Sequence, residues 1–473
     1  MTLIPKEPLD DSGAAAGLQG PTIPLAGILA DFDALYLGLR QAHYDLFARQ
    51  SQVDYDRLFE RTRRGFTRPM PREQVHLAFQ KFVAYGRVAH ASMGLPQDSY
   101  RSFLRRGGKR FPLSVRVLQG RLYVTENHSG ARSLAPGAEI TDINGEPVSA
   151  WLTRLAAYVS ADTDYLAWSL VEPLFPFLMW IEAGERDVFV VGARNGSGGI
   201  DRKSVAAYGP GDAEHSGTRL HPREGRLLTG GIAYLRPALF FNVDGLTWDT
   251  SDFRTFIDGS FDRFLKAGAD KLIIDLRDNP GGDQAFSDIM VAWIADRPFS
   301  MFSTFNLRVS PQTRSRTVER IAEYAGDPTG TISTISRQIA RVLDRQPDGA
   351  RVPFPVPEVA PRAGRRFTGE VFVLVNRLSY SNATATAAVI QDYGFGRIIG
   401  EATADLASGY GASETFVLTN TGLPVTYPKS YFVRPNGDDR ASGVAPDFPI
   451  ATPLTPWSDD RVLQDAARMI AVV

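Results

Sequence analysis

Cysteine occurs nowhere in the 473 residues. That excludes disulfide scaffolds, thiolate zinc sites, iron–sulfur clusters and cysteine nucleophiles, and leaves Ser, Thr, Lys or a carboxylate for any covalent chemistry. Histidine is scarce: His43, His76, His90, His128, His215 and His221 are all there is, and they lack the spacing of a metal site. The sequence has no GxxxxGK[ST], no strand-linked GxGxxG and no HExxH. Net charge is missing too, since 52 Lys and Arg against 53 Asp and Glu leave −1, so no overall field draws nucleic acid or an anionic membrane. The greasiest stretch, Leu174 to Ile181, is broken by Pro176 and bounded by Glu172 and Glu182. It falls far short of the ~20 residues that span a bilayer and reads as buried segments. Met1 to Gly20 lacks the unbroken apolar centre of a secretory leader. The expected compartment is the cytoplasm, or the periplasm or exterior if a leader was removed before the numbering begins.

What is present is the composition of a globular chain, 43% apolar and 22% charged, long enough for about three compact units at roughly 150 residues each. Leu29, Phe32, Tyr36, Leu39, His43 and Leu46 recur at spacings of three and four, which predicts one helix face. A second helix is expected from Pro71, carrying Val75, Phe79 and Phe82 inward until Gly86. From Phe111 the pattern turns to short β-rich pieces, and Ala135 to Val148 reads as turn, strand, Asn144-Gly145 turn and strand. Residues 196–226 are rich in Gly and charge with little periodicity, which predicts a linker or loop. Beyond it, Lys271-Leu-Ile-Ile-Asp-Leu and Val371-Phe-Val-Leu-Val have the unbroken apolar character of strands covered on both faces. The division expected is a helical region 1–110, a β-rich segment with linker 111–226, and an α/β core 227–473.

Two segments can carry chemistry. Asp275-Leu-Arg-Asp-Asn-Pro-Gly-Gly-Asp283 leaves a strand through two adjacent glycines. With no Cβ in the way, such a turn can aim backbone N–H groups into a cleft; it can equally be a plain strand-to-helix turn. In Asn376-Arg-Leu-Ser-Tyr-Ser-Asn-Ala, a strand ends and small residues open a helix. A serine there, Ser379 or Ser381, sits at the positive end of the helix dipole, where it can act as a nucleophile or serve only as an N-cap.

Together with Ile398-Ile-Gly-Glu-Ala-Thr and Gly443-Val-Ala-Pro-Asp447, these two segments resemble, in order and rough spacing, the C-terminal processing (tail-specific) protease family, which includes the tricorn core. The likeness covers about 231–450. Ala135 to Val148 looks like a degenerate PDZ-like segment, and Tyr85-Gly-Arg-Val-Ala-His-Ala-Ser looks like the histidine segment of the tricorn-like branch. The resemblance implies an α/β core with a tail-specific protease or crotonase-like βα sheet. It implies a serine-type peptidase acting through an acyl-enzyme on Ser381, with His90 as general base. The N–H of Asn382, with that of Gly281 or Gly282, is implied as the oxyanion hole. Peptides or proteins are the substrates implied; no metal, organic cofactor, nucleic acid or membrane span is.

The Ser–Lys branch is excluded, because no lysine lies between Glu401 and Lys429. The tricorn-like branch carries a glutamate three residues before Gly-Val-x-Pro-Asp, where this chain has Arg440, and a guanidinium cannot accept a hydrogen bond from imidazole. Asp439 is the expected substitute, with Asp405, Asp438 or a backbone carbonyl as other partners. Two further readings stay open: a catalytically silent protein that binds peptides or other ligands on the same fold, and a small ester or amide hydrolase.

Overall fold

The structure, a computed structural model, describes residues 20–131, 134–196, 198–209, 221–243, 249–324, 331–455 and 460–471. The leader question at Met1 to Gly20 therefore falls almost wholly outside the described residues, as do His215 and the middle of the expected linker.

The centre is a six-stranded sheet. Ala233–Arg236, Lys271–Asp275, Glu370–Val375, Arg397–Gly400 and Phe448–Pro449 run parallel, and Glu224–Leu227 pairs antiparallel at one edge. Both apolar runs become central strands, and their side chains alternate between faces as the strand period demands. Leu272, Ile274, Val371, Val373 and Val375 join the core under the helices Ser251–Lys266, Gln284–Val291 and Asn382–Asp392. Ile273, Phe372 and Leu374 point the other way, where the C-terminal helix Arg461–Ala471 covers them with Val462, Leu463, Ala466 and Ile470. Each such fully buried side chain contributes about 1.5–3 kcal/mol.

The β-rich region forms its own sheet, in the order Leu113–Leu118, Arg121–Asn127, Glu139–Ile143, Val188–Arg194, Ile200–Ala206. Asn144 and Gly145 both take positive φ (51° and 80°), the geometry of the tight turn expected there. Two expectations are corrected in this region. The strand Ile200–Ala206 and the start of Glu224–Leu227 lie inside the stretch read as linker; along the first, only Val205 is buried, so it lacks apolar alternation. Leu174 to Ile181 does not break at Pro176 but belongs to one helix, Asp164–Ala183, which also contains Pro173. It is long and apolar enough to cross a membrane, yet ten of its side chains are buried, nine of them in the β-rich unit's hydrophobic core.

The N-terminal helix runs Leu25–Ala42, so His43 and Leu46, expected on its face, lie just beyond it. With Arg72–Ala84 it packs Phe32, Tyr36, Phe79 and Phe82 against Leu418, Leu423, Val425 and Tyr427 of a hairpin, Gly409–Val417 with Pro424–Val433. Buried Asp31 fastens the hairpin tip by accepting bonds from the N–H groups of Asn420 (3.0 Å) and Thr421 (2.7 Å). Residues 23–93 are thereby docked onto the second half of the chain.

Candidate active site

The two glycine- and serine-bearing turns leave adjacent parallel strands at their C-terminal ends, where open α/β sheets commonly place ligands. They are laced together. Asn376 Nδ2 donates to Asp278 Oδ1 (2.9 Å), Tyr380 N–H donates to Asn279 O (2.9 Å), and Ser379 Oγ donates to Leu276 O (2.7 Å) while accepting Asn376 N–H (3.1 Å). Ser379 is fully buried and its hydroxyl is spent on this bracing.

Ser381 is held differently. Its backbone takes φ 54° and ψ −122°, a region that a residue with a side chain enters only under strain and that clusters at functional sites. It stands at the N-cap of Asn382–Asp392, yet its hydroxyl makes no capping bond. The hydroxyl instead lies 3.2 Å from His90 Nε2. Asp405 Oδ2 accepts the Ser381 N–H at 2.5 Å and so holds the strained backbone.

His90 comes from a loop tied down on both sides of it. Arg87 donates to Asp164 (2.7 Å), Ala89 N–H to Asp162 Oδ2 (3.0 Å), and Met93 N–H to Gln80 Oε1 (2.7 Å), while Ser92 and Thr426 exchange a pair of backbone bonds. The Tyr380 ring stacks on the imidazole at 5.2 Å between centroids. Burial pushes the imidazole's pKa below its ordinary value, with the negative charge of Asp162 acting against that shift.

The glycine turn abuts the serine. A Cβ on Gly281 would fall 2.7 Å from Asn382 N and 2.8 Å from Ser381 Cβ, and φ there is +91°, so only glycine fits. The Gly281 N–H donates to Asn279 Oδ1 (2.8 Å) and is therefore engaged within its own turn. Among the described residues, no acceptor takes the N–H of Gly282 or Asn382. Asn382 is fixed through its side chain, which donates to Asp283 O (3.1 Å) and Ser287 Oγ (3.0 Å).

The structure thus brings Ser381, His90, Gly281 and Asn382 together, and not Asp439. That residue is exposed and accepts the Tyr431 hydroxyl, making no hydrogen bond or ion pair with His90. Asp438 pairs with Arg440. The carboxylate whose charge reaches the imidazole, Asp162, carried no sequence signal. It precedes Thr163, the N-cap of Asp164–Ala183, and reads there as an ordinary helix-start acid.

Residues 232–450 match the model of peptidase family S41. No curated protein matches the sequence. Among solved structures, mature CPAF complexed with lactacystin aligns over 94% of this chain and 97% of its own at 15% identity, with a TM-score of 0.62. Mature CPAF aligns over 90% and 93% at 16% identity, with a TM-score of 0.58. At such identities the likeness is one of fold, and it extends across all three regions. Family match and fold converge on the sheet that carries the two turns: residues 232–450 are similar to peptidase family S41, and the chain as a whole shares the fold of mature CPAF.

Proposed function

We propose that the chain hydrolyses peptide bonds through an acyl-enzyme on Ser381, with His90 as general base. The observation that carries this reading is the 3.2 Å approach of His90 Nε2 to a serine hydroxyl that does no capping work. With the ring proton on Nδ1, Nε2 takes the Ser381 proton as Oγ bonds to the carbonyl carbon. The carbonyl oxygen becomes an oxyanion, received by the N–H groups of Asn382 and Gly282; Gly281 contributes room rather than a donor. The intermediate collapses by breaking the C–N bond, and the departing amine takes the proton from Nε2. Water then adds to the ester with His90 again as base, which frees the new carboxyl terminus and restores Ser381.

A base must be neutral to act, so activity rises with pH. Burial of His90 sets that rise below the ~6.5 of free imidazole. The reading is tested with a serine-directed phosphonate and a peptide library. Ser381 in the wild type should be labelled and peptides cleaved, and Ser381→Ala should lose both. Labelling that survives in Ser381→Ala, or that is lost in Ser379→Ala instead, overturns the assignment. Labelling without peptide cleavage points to a small ester or amide as substrate.

A further inference from the structure

We propose that Asp162 is the positioning carboxylate of this site, anchoring the His90 loop through Ala89 and supplying the counter-charge for the imidazolium formed at each proton transfer. The inference rests on the Ser381–His90 reading above. Three observations carry it. Asp162 Oδ2 accepts the N–H of the residue next to His90, so the carboxylate fixes where the ring begins. Its side chain is only 6% exposed, and Oδ1 is buried with no hydrogen-bond partner. Met only by the Arg49 guanidinium at 3.6 Å, beyond hydrogen-bond reach, this oxygen is a costly buried acceptor of the kind that calls for an explanation. Third, the carboxylate sought by analogy, at Asp439, is spent on Tyr431 at the surface.

The surroundings of His90 are otherwise poor in charge. The Tyr380 ring covers one face and Ser381 meets Nε2. Asp405 holds the Ser381 N–H and repels Asp162. Burial, with the repulsion of Asp405, holds the Asp162 carboxyl above the usual carboxylate range, while the Ala89 N–H and Arg49, 3.6 Å from Oδ1, pull it towards the ionised form. When His90 takes the serine proton, a cation forms in a place where burial penalises it, and an ionised Asp162 is the near charge that offsets the penalty. No proton passes to Asp162 in this scheme. It acts through His90 and touches no reacting atom.

The test is the full chain carrying Asp162→Asn. The amide oxygen can still accept the Ala89 N–H, so the loop stays anchored while the charge is lost. The pH dependence of kcat/KM and of phosphonate inactivation are both followed, with thermal unfolding to confirm folding. The acid limb should move down by about one pH unit and the plateau should fall about tenfold or more, because the imidazolium has lost its counter-charge. Asp162→Glu should keep the limb nearer the wild-type position. An unmoved limb in Asp162→Asn, or equal losses in Asn and Glu variants with no limb shift, overturns this inference alone. Wild-type turnover in Ser381→Ala or His90→Ala overturns the underlying site and this inference with it.

Discussion

Two buried charge clusters flank the Asn376–Asn382 segment, and they are built on opposite principles. On one side is Arg377, 5% exposed, whose guanidinium donates to Glu401 Oε1 (2.9 and 2.7 Å), Glu172 Oε1 (2.5 Å) and Val117 O (3.0 Å). Arg116 completes Glu401 from the β-rich sheet (2.6 Å), and Glu172 also accepts the Val117 N–H (2.7 Å). On the other side stand His90, Asp162 and Asp405, with one hydrogen bond to the imidazole, one carboxylate oxygen without a hydrogen bond and two carboxylates near enough to repel. Both clusters lose water's solvation, and the number of partners decides the result. The many-partnered charges fix the β-rich unit to the core even though burial pushes the Glu172 carboxyl up to about 7; the sparsely partnered ones stand beside Ser381 and His90, where the proposed reaction moves a proton.

If that contrast is right, removing His90 should have the largest effect, and on activity alone. His90→Ala should lower kcat/KM by about a thousandfold or more, nearly as much as Ser381→Ala, because the two act as a unit. Unfolding by denaturant should change little. Arg377→Ala should do the reverse. By stranding Glu172 and Glu401 it should cost about 3–5 kcal/mol of stability in chemical denaturation, and adding Glu172→Gln should recover part of that loss.

A subtler effect is expected at Asp405, whose carboxyl is pushed up to about 7 by burial although the N–H groups of Ser381 and Leu406 pull it down. The unfolded value is near ~3.9. As pH climbs from that value to about 7 the unfolded chain ionises first, so this group's contribution favours folding at low pH, declines over that window and is flat above it. Asp405→Asn should therefore raise the thermal midpoint by several degrees at pH 8, with the gain vanishing towards pH 4. A gain independent of pH would place the effect elsewhere. For activity, Ser379→Ala should matter least: it removes two buried hydrogen bonds, to Leu276 O and from the Asn376 N–H, costing about 1–3 kcal/mol of stability, and most activity should remain.

Legibility in the sequence followed local physics. Lys271–Asp275 and Glu370–Val375 were readable because strands covered on both faces are apolar throughout, and Asn144-Gly145 because few residue pairs enter that turn. Pro176 misled: a proline inside a helix costs about 3 kcal/mol, a penalty that ten buried side chains along Asp164–Ala183 outweigh there and again at Pro173. Ile200–Ala206 was missed because exposed, charged strands carry no period-2 signal. The candidate site divides the same way. Ser381 and Gly281 announce themselves by motif and backbone need. Asp162 has meaning only through the fold, which brings the start of a distant helix beneath the His90 loop, and no spacing along the chain encodes that.

His90 and Ser381 stand 291 residues apart, and the hairpin strand that grips the histidine loop at Thr426 is made later still. A ribosome adds about 5–20 residues per second, so the histidine waits roughly 15 to 60 s for its serine and somewhat longer for its clamp. On the proposed reading, the nascent chain holds half of the catalytic pair throughout that interval and cannot attack its neighbours. On the same reading a product truncated anywhere before the serine is inert, and the order of synthesis acts as a built-in safeguard.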